Sequence, residues 1–208
     1  MSSAFEATIE VLRERLAAPL PGASAQIRMA PPHPEVTDRL SVRNRSCREA
    51  AVLALLTPRD GEAHLLMTVR PSHLSRHAGQ VSFPGGARER NEELRETAVR
   101  ETHEEIGLEP AAIVLLGNLT PLYVPPSNFC VYPFVGITAG DPDLLPHNHE
   151  VEKIVHVPLS VLRRKDIIRT EERLLRGARL MIPYYEIQGL TVWGATAMMI
   201  AELLALFD

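Results

Sequence analysis

Residues 86–108 read GARERNEELRETAVRETHEEIGL, and the carboxylates in this stretch are spaced for chemistry. On a helical wheel of about 100° per residue, Glu101, Glu104 and Glu105 fall within an arc of roughly 100°. Three carboxylates crowded on one face repel one another unless a cation sits among them. Oxygen-only ligands select a hard divalent ion, Mg²⁺ first and Mn²⁺ as a substitute. Mg²⁺ shares itself between protein carboxylates, water and substrate phosphates, so such a site suits cleavage of a P–O–P bond. An acidic helix face taken alone is more often just a solvated face. The surrounding residues decide between the two.

Those residues specify a helix with one apolar side. Asn91 is placed to cap it, Glu92 and Glu93 suit the positive end of its dipole, and Gly107 is a natural stop. Ala98, Thr102 and Ile106 share the arc next to the carboxylates, with Leu94 at its boundary, so that side is expected to pack on a sheet. Thr102 falls at the core edge, while Glu96 and His103 fall on the solvent side. Arg100 is expected to pair with Glu92 or with a ligand carboxylate and so to fix its orientation.

The stretch resembles the Nudix box, Gly-x5-Glu-x7-Arg-Glu-aliphatic-x-Glu-Glu-x-Gly-aliphatic. All seven fixed positions match: Gly86, Glu92, Arg100, Glu101, Glu104, Glu105 and Gly107. At about 7% usage per residue type, the chance of that is on the order of 1 in 10⁸. One position departs, with Thr102 where the template has an aliphatic residue. The resemblance implies a hydrolase for diphosphates linked to another moiety, on a single-domain α/β/α sandwich with a mixed sheet. It implies Glu101 and Glu105 as metal ligands, Glu104 as a third ligand or one acting through water, and the carbonyl of Gly85 as a further one.

A narrower resemblance lies just upstream. Residues 68–86, TVRPSHLSRHAGQVSFPGG, are similar to the segment that marks the coenzyme A pyrophosphatase branch, T-x-R, then H-x-G-Q-V-x-F-P-G-G. Pro71 stands where a serine usually follows the arginine. By this resemblance the substrate is coenzyme A or a derivative, split into adenosine 3′,5′-bisphosphate and 4′-phosphopantetheine, with Arg70, His77, Gln80, Phe83 and Gly86 contacting it. Arg70, His73, Arg76 and His77 also form a cationic cluster that suits phosphates beyond the scissile diphosphate. Tyr123 and Asn128, in the proline-stiffened stretch YVPPSNF, are candidates for the adenine or pantetheine end. Glu150, preferred over Glu152, is a candidate general base from outside the box. The alternatives are another nucleoside diphosphate derivative (ADP-ribose, NADH or a dinucleoside polyphosphate) or a Nudix-fold module that binds a nucleotide without cleaving it.

The rest of the chain agrees with a small enzyme acting on a small-molecule nucleotide. The 208 residues are 45% apolar, enough for a substantial core, and a net charge of −4 argues against a nucleic-acid surface. No run approaches the ~20 apolar residues of a membrane span. Cys47 and Cys130 fit no disulfide framework and are expected to be packing residues in a reducing compartment. The N-terminus lacks a signal-peptide layout, so the cytoplasm is expected, with a monomer or homodimer as the assembly.

Helical spacing runs from Phe5 to Leu16, followed by a proline-rich segment expected to wrap the core. Residues 1–39 are therefore separated from a hydrolase domain at 40–208. Strands are expected at 49–57 and 63–69 around a turn at 58–61, and then at 112–122, 129–138, 154–158, 167–175 and 179–187. A short helix is expected at 159–163, and a closing helix at 194–207.

Overall fold

The computed structural model describes residues 4–33, 36–72, 79–147, 149–175 and 177–208. The chain opens with helix α1 (Ala4–Leu16) and passes through two short helices, α2 (Ala23–Gln26) and α3 (Val36–Leu40). Strands β1 (Arg48–Arg59) and β2 (Glu62–Val69) follow as an antiparallel hairpin. Its turn is narrower than the sequence suggests. Pro58 and Arg59 stay in the strand, and only Asp60 and Gly61 reverse the chain, both at positive φ (50° and 83°). An Asp-Gly pair in that conformation matches the right-handed strand twist.

Next come β3 (Val81–Ser82), β4 (Gly85–Ala87) and the long helix α4 (Leu94–Ile106). The expected strand at 112–122 is broken. A 3₁₀ turn at Pro110–Ala112 precedes β5 (Val114–Asn118), and the chain resumes pairing only at β6 (Leu122–Val124). Then follow β7 (Phe129–Ile137), β8 (Lys153–Pro158), α5 (Leu159–Leu162), β9 (Ile168–Leu175), β10 (Ala178–Ile187), β11 (Leu190–Trp193) and α6 (Gly194–Ala205).

β1 is the centre of a mixed eight-stranded sheet. It runs parallel to β7 along one edge, while its other edge is shared between β4 at Ala50–Val52 and β2 from Leu56 onward. Leu53 and Leu55 of β1 pack with Ala98 and Ile106 of α4, while Ala54 and Leu56 point into the larger core on the opposite face. A strand covered on both faces reads as the unbroken apolar run AVLALL rather than an alternation. The larger core takes in α1, α6 and the inner residues of a second, three-stranded antiparallel sheet, β11-β10-β9. That second sheet joins helices in covering the larger core, and its strand β11 carries no expectation from the sequence.

The N-terminal segment is tied to the closing helix by one buried carboxylate. Glu202 is fully buried and accepts hydrogen bonds from Gly22 N, Gln26 Nε2, Thr120 N and Thr120 Oγ1, at 2.6–3.2 Å. Four donors converge on two oxygens, so the buried carboxylate is met from two separate pieces of chain, Gly22–Gln26 and Thr120. Glu202→Ala strands those donors and is expected to cost about 3 kcal/mol or more, read as a fall in the urea midpoint at unchanged m-value. A midpoint within error of wild type would show the cluster to be dispensable.

Candidate active site

Helix α4 is held at both ends. Its N-cap is Glu93, with Glu96 returning a hydrogen bond to the Glu93 N–H at 2.9 Å, so the pair forms a capping box. This corrects the expectation that Asn91 is the cap: Asn91 sits at φ 66° in the turn leading in. Gly107 ends the helix in the left-handed conformation, its N–H bonded to His103 O at 2.8 Å. Ala98, Thr102 and Ile106 are completely buried against the sheet, and the Thr102 hydroxyl donates to Ala98 O at 2.7 Å. With its one polar atom satisfied on its own helix, Thr102 serves where an aliphatic side chain would otherwise sit.

Packing that face turns Glu101 and Glu105 toward β4. The two glycines there are required by space. A Cβ on Gly86 would overlap the Glu101 carboxylate, and one on Gly85, at φ 150°, would overlap the backbone oxygen of Ala51. Gly85 N donates to Glu105 Oε2 at 3.4 Å. Glu105 is 6% exposed, so this part of the site is buried rather than solvent-facing as its place on an acidic helix suggests. Burial is the main reason its pKa is pushed up to about 8, the Gly85 hydrogen bond opposes the shift, and the nearby Glu101 charge adds to it. Burial likewise raises Glu101, against the pull of Arg100.

Arg100 organises the outer side. Its Nε donates to Glu92 Oε1 at 2.8 Å and its Nη1 lies 2.9 Å from Glu104 Oε2 and 3.0 Å from Glu101 Oε1. Glu92 is thereby held far down, at about 2. Among the described residues no three His, Cys, Asp or Glu side chains are gathered tightly enough to hold an ion as they stand, and Glu104 is half exposed and turned to Arg100. What the site does offer is a buried carboxylate, Glu105, repelled by the partly buried Glu101 beside it, over a close backbone approach. That donor set is all hard oxygen and short of positive charge, which fits a divalent cation.

The other predicted residues divide. Arg70 lies close enough to Glu105 to lower its pKa, and its Nε is buried without a hydrogen-bond partner among the described residues. The exposed Glu150 is felt electrostatically by both Glu101 and Glu105. Glu152 instead accepts the Ser72 N–H at 2.8 Å and anchors the start of the loop after β2. Phe83 is 1% exposed within the larger core, so it is a packing residue and not a substrate contact. Gln80 gives its backbone oxygen to Arg70 N at 3.0 Å. Tyr123 donates to Asn128 Oδ1 at 3.0 Å and lies under Arg45, 4.6 Å from ring centre to guanidinium carbon. His77, with His73 and Arg76 of the cationic cluster, lies outside the described residues.

Cys47 and Cys130 are not ordinary packing residues. They form a disulfide with Cα atoms 5.7 Å apart, and the argument from them for a reducing compartment falls with that finding. Their separation of 83 residues hid the pair: Cys47 precedes β1 and Cys130 lies in β7, and only the parallel pairing of those strands makes them neighbours.

A mixed sheet centred on β1, with an acidic helix delivering Glu101 and Glu105 onto a glycine pair, defines a class of diphosphate hydrolase folds. The NUDIX domain model matches residues 48–177, and the chain belongs to the Nudix family, whose hydrolases are generally dependent on divalent metals. It is 37% identical over 159 residues to the uncharacterised Nudix hydrolase NudL of Enterobacter sp. (strain 638), covering 75% of this chain and 81% of that one. To the mitochondrial Nudix hydrolase 15 of Arabidopsis thaliana it is 33% identical over 157 residues, 72% of this chain but only 55% of the plant protein. The chain thus spans about half the length of that relative. The crystal structure of RenU, a Nudix hydrolase from M. smegmatis, superposes with a TM-score of 0.56 at 19% identity, over 77% of this chain and 85% of that one, a likeness of fold. No helix among the described residues is long and apolar enough to cross a membrane.

Proposed function

We propose that the protein is a pyrophosphatase that hydrolyses the diphosphate of coenzyme A or its derivatives. The observation that carries the chemistry is the pair of the partly buried Glu101 and the buried Glu105, facing Gly86 and Gly85. What narrows the substrate is the segment that ends in those glycines. Within it Thr68 and Val69 of β2 pair with Ser82 and Val81 of β3, and this pairing delivers Arg70 beside Glu105.

Glu101, Glu105 and the Gly85 carbonyl would hold Mg²⁺, or Mn²⁺ in its place, with Glu104 as a third ligand or one acting through water; the ion would neutralise the diphosphate and acidify an attacking water. Arg70 brings a buried N–H, without a partner among the described residues, and a positive charge to where a substrate phosphate oxygen would lie, a match that desolvation strengthens. Glu150 supplies a solvent-accessible carboxylate in the same field and is assigned the role of proton acceptor from water. Arg100 bridges the outer carboxylates, offsets their repulsion and orients them. The cut needs no side-chain nucleophile, so no covalent intermediate forms. Residues 40–208 constitute the catalytic unit and residues 1–39 wrap it, in a cytoplasmic enzyme acting as a monomer or homodimer.

The test is a hydrolysis screen with Mg²⁺ over coenzyme A, acyl-coenzyme A, dephospho-coenzyme A, ADP-ribose, NADH and diadenosine polyphosphates, with products identified by mass. Adenosine 3′,5′-bisphosphate and 4′-phosphopantetheine are the expected products. A kcat/KM for ADP-ribose about tenfold above that for coenzyme A would overturn the substrate and leave the family assignment standing.

A further inference from the structure

A pocket of about 430 Å³ lies beside the proposed metal groove, lined by Val42, Arg45, Cys47, Arg88, Cys130 and Tyr132. Gly86 pairs with Ala51, and Arg88 N bonds to Glu49 O, so the pocket begins one strand step further on, roughly 7 Å from where Glu101 meets Gly86. The disulfide forms one wall. Residues 41–47, which supply Val42 and Arg45, belong to no helix or strand, and Asn44 stands at φ 56°. Three of their hydrogen bonds among the described residues are local: Arg43 N to Ser41 Oγ at 3.2 Å, Arg45 Nε to Ser41 O at 3.2 Å, and Arg45 Nη2 to Asp38 O at 3.0 Å. The covalent bond to Cys130, 1% exposed in β7, fixes this segment to the central sheet.

We propose that Cys47–Cys130 is a redox latch that shapes this pocket: oxidised, it holds residues 41–47 and Arg45 against the mouth; reduced, it releases them. A dithiol reductant drives the change. One of its thiolates attacks Cys47 Sγ, the more exposed sulfur, the Cys47–Cys130 bond breaks, and Cys130 leaves as a thiolate that takes up a proton. The second thiol of the reductant then displaces Cys47 as a thiol, leaving the reductant as a disulfide and two electrons on the protein. Arg45 also stacks on Tyr123, which is hydrogen-bonded to Asn128, so release loosens the β6–β7 hairpin edge as well.

The test compares the air-oxidised full-length chain with the same chain in dithiothreitol, and with a Cys47→Ser/Cys130→Ser variant. Alkylation and mass measurement are expected to find no free thiol before treatment and two after it. Trypsin cleavage after Arg43 and Arg45 is expected to speed up about tenfold on reduction, while cleavage after Arg13 and Arg15 in α1 stays within about twofold. The double variant is expected to cleave at the fast rate whether or not dithiothreitol is present. A second arm rests on the proposed hydrolase reading: reduction is expected to raise KM for coenzyme A about threefold or more with kcat within about twofold. Two free thiols in the aerated protein, or cleavage after Arg43 and Arg45 unaltered by reduction, would overturn the latch without bearing on catalysis. A redox-sensitive segment with an unchanged KM would overturn its control of the pocket. Should the double variant not fold, the wild-type comparison alone decides.

Discussion

Glu105→Gln is expected to lower kcat by several orders of magnitude and, in the same molecule, to raise the stability of the metal-free protein. Both effects follow from burial. Glu105 is nearly enclosed, yet its strongest local partner is a single 3.4 Å backbone hydrogen bond, and its pKa of about 8 records the strain of ionising there. The folded pKa lies above the ordinary value of 4.5, so the native state binds the extra proton. Stability therefore falls as pH rises from about 4.5 to about 8 and stays reduced above that. A glutamine carries no such burden. Its advantage over wild type in chelator is expected to grow across that window to on the order of 2 kcal/mol, or about 5 °C in Tm for a chain this size. With Mg²⁺ the order reverses, because the ion stabilises only the protein that binds it. Glu101→Gln is expected to lose turnover similarly, with a smaller gain in Tm because Glu101 also pairs with Arg100. Near wild-type kcat in both variants at saturating Mg²⁺ would sink the ligand assignment.

The box helix was legible in advance because its information is local. Ala98, Thr102 and Ile106 recur every four residues, and burying them leaves Glu101 and Glu105 only one direction to face. The hairpin of β1 and β2 was legible for the same reason, through its Asp-Gly turn and flanking apolar runs. The misses have different causes, some local and some not. Asn91 is the better cap by residue type, but Glu93 and Glu96 bond reciprocally three residues apart, and a reciprocal pair outweighs a single preference. Phe83 lies within a motif read as substrate-binding, while the β2–β3 pairing turns it into the core. The Cys47–Cys130 bond depends on the parallel register of two strands that are far apart in the chain. β11 is four residues long and escapes any periodicity test, although Val192 is fully buried and Trp193 takes Arg173 on its ring face at 4.1 Å.

Arg100→Ala is expected to lower kcat/KM by about 10²-fold without removing any group proposed to touch the metal. The guanidinium spans Glu92, Glu101 and Glu104 and also donates to Ala87 O at 3.3 Å, so it ties the helix to the strand that carries Gly86. Without it Glu101 and Glu104 repel each other unopposed, and Mg²⁺ affinity is expected to weaken together with the rate. A bystander that merely competes with the ion would instead make binding tighter when removed. Arg100→Lys is expected to restore little, since one ammonium cannot reproduce a planar fork bonded to both oxygens of Glu92. Acid titration gives a readout independent of activity. In wild type the Arg100 hydrogen bond, chiefly, holds Glu92 at about 2, below its ordinary 4.5. That contribution is fully present above about pH 4.5 and lost as pH falls through about 2. Because the pair is partly solvated, it amounts to no more than about 1 kcal/mol. The stability gap between wild type and Arg100→Ala is therefore expected to narrow below pH 4, by thermal or urea denaturation. A variant with wild-type kcat/KM, or a gap that widens in acid, would show that Arg100 positions nothing.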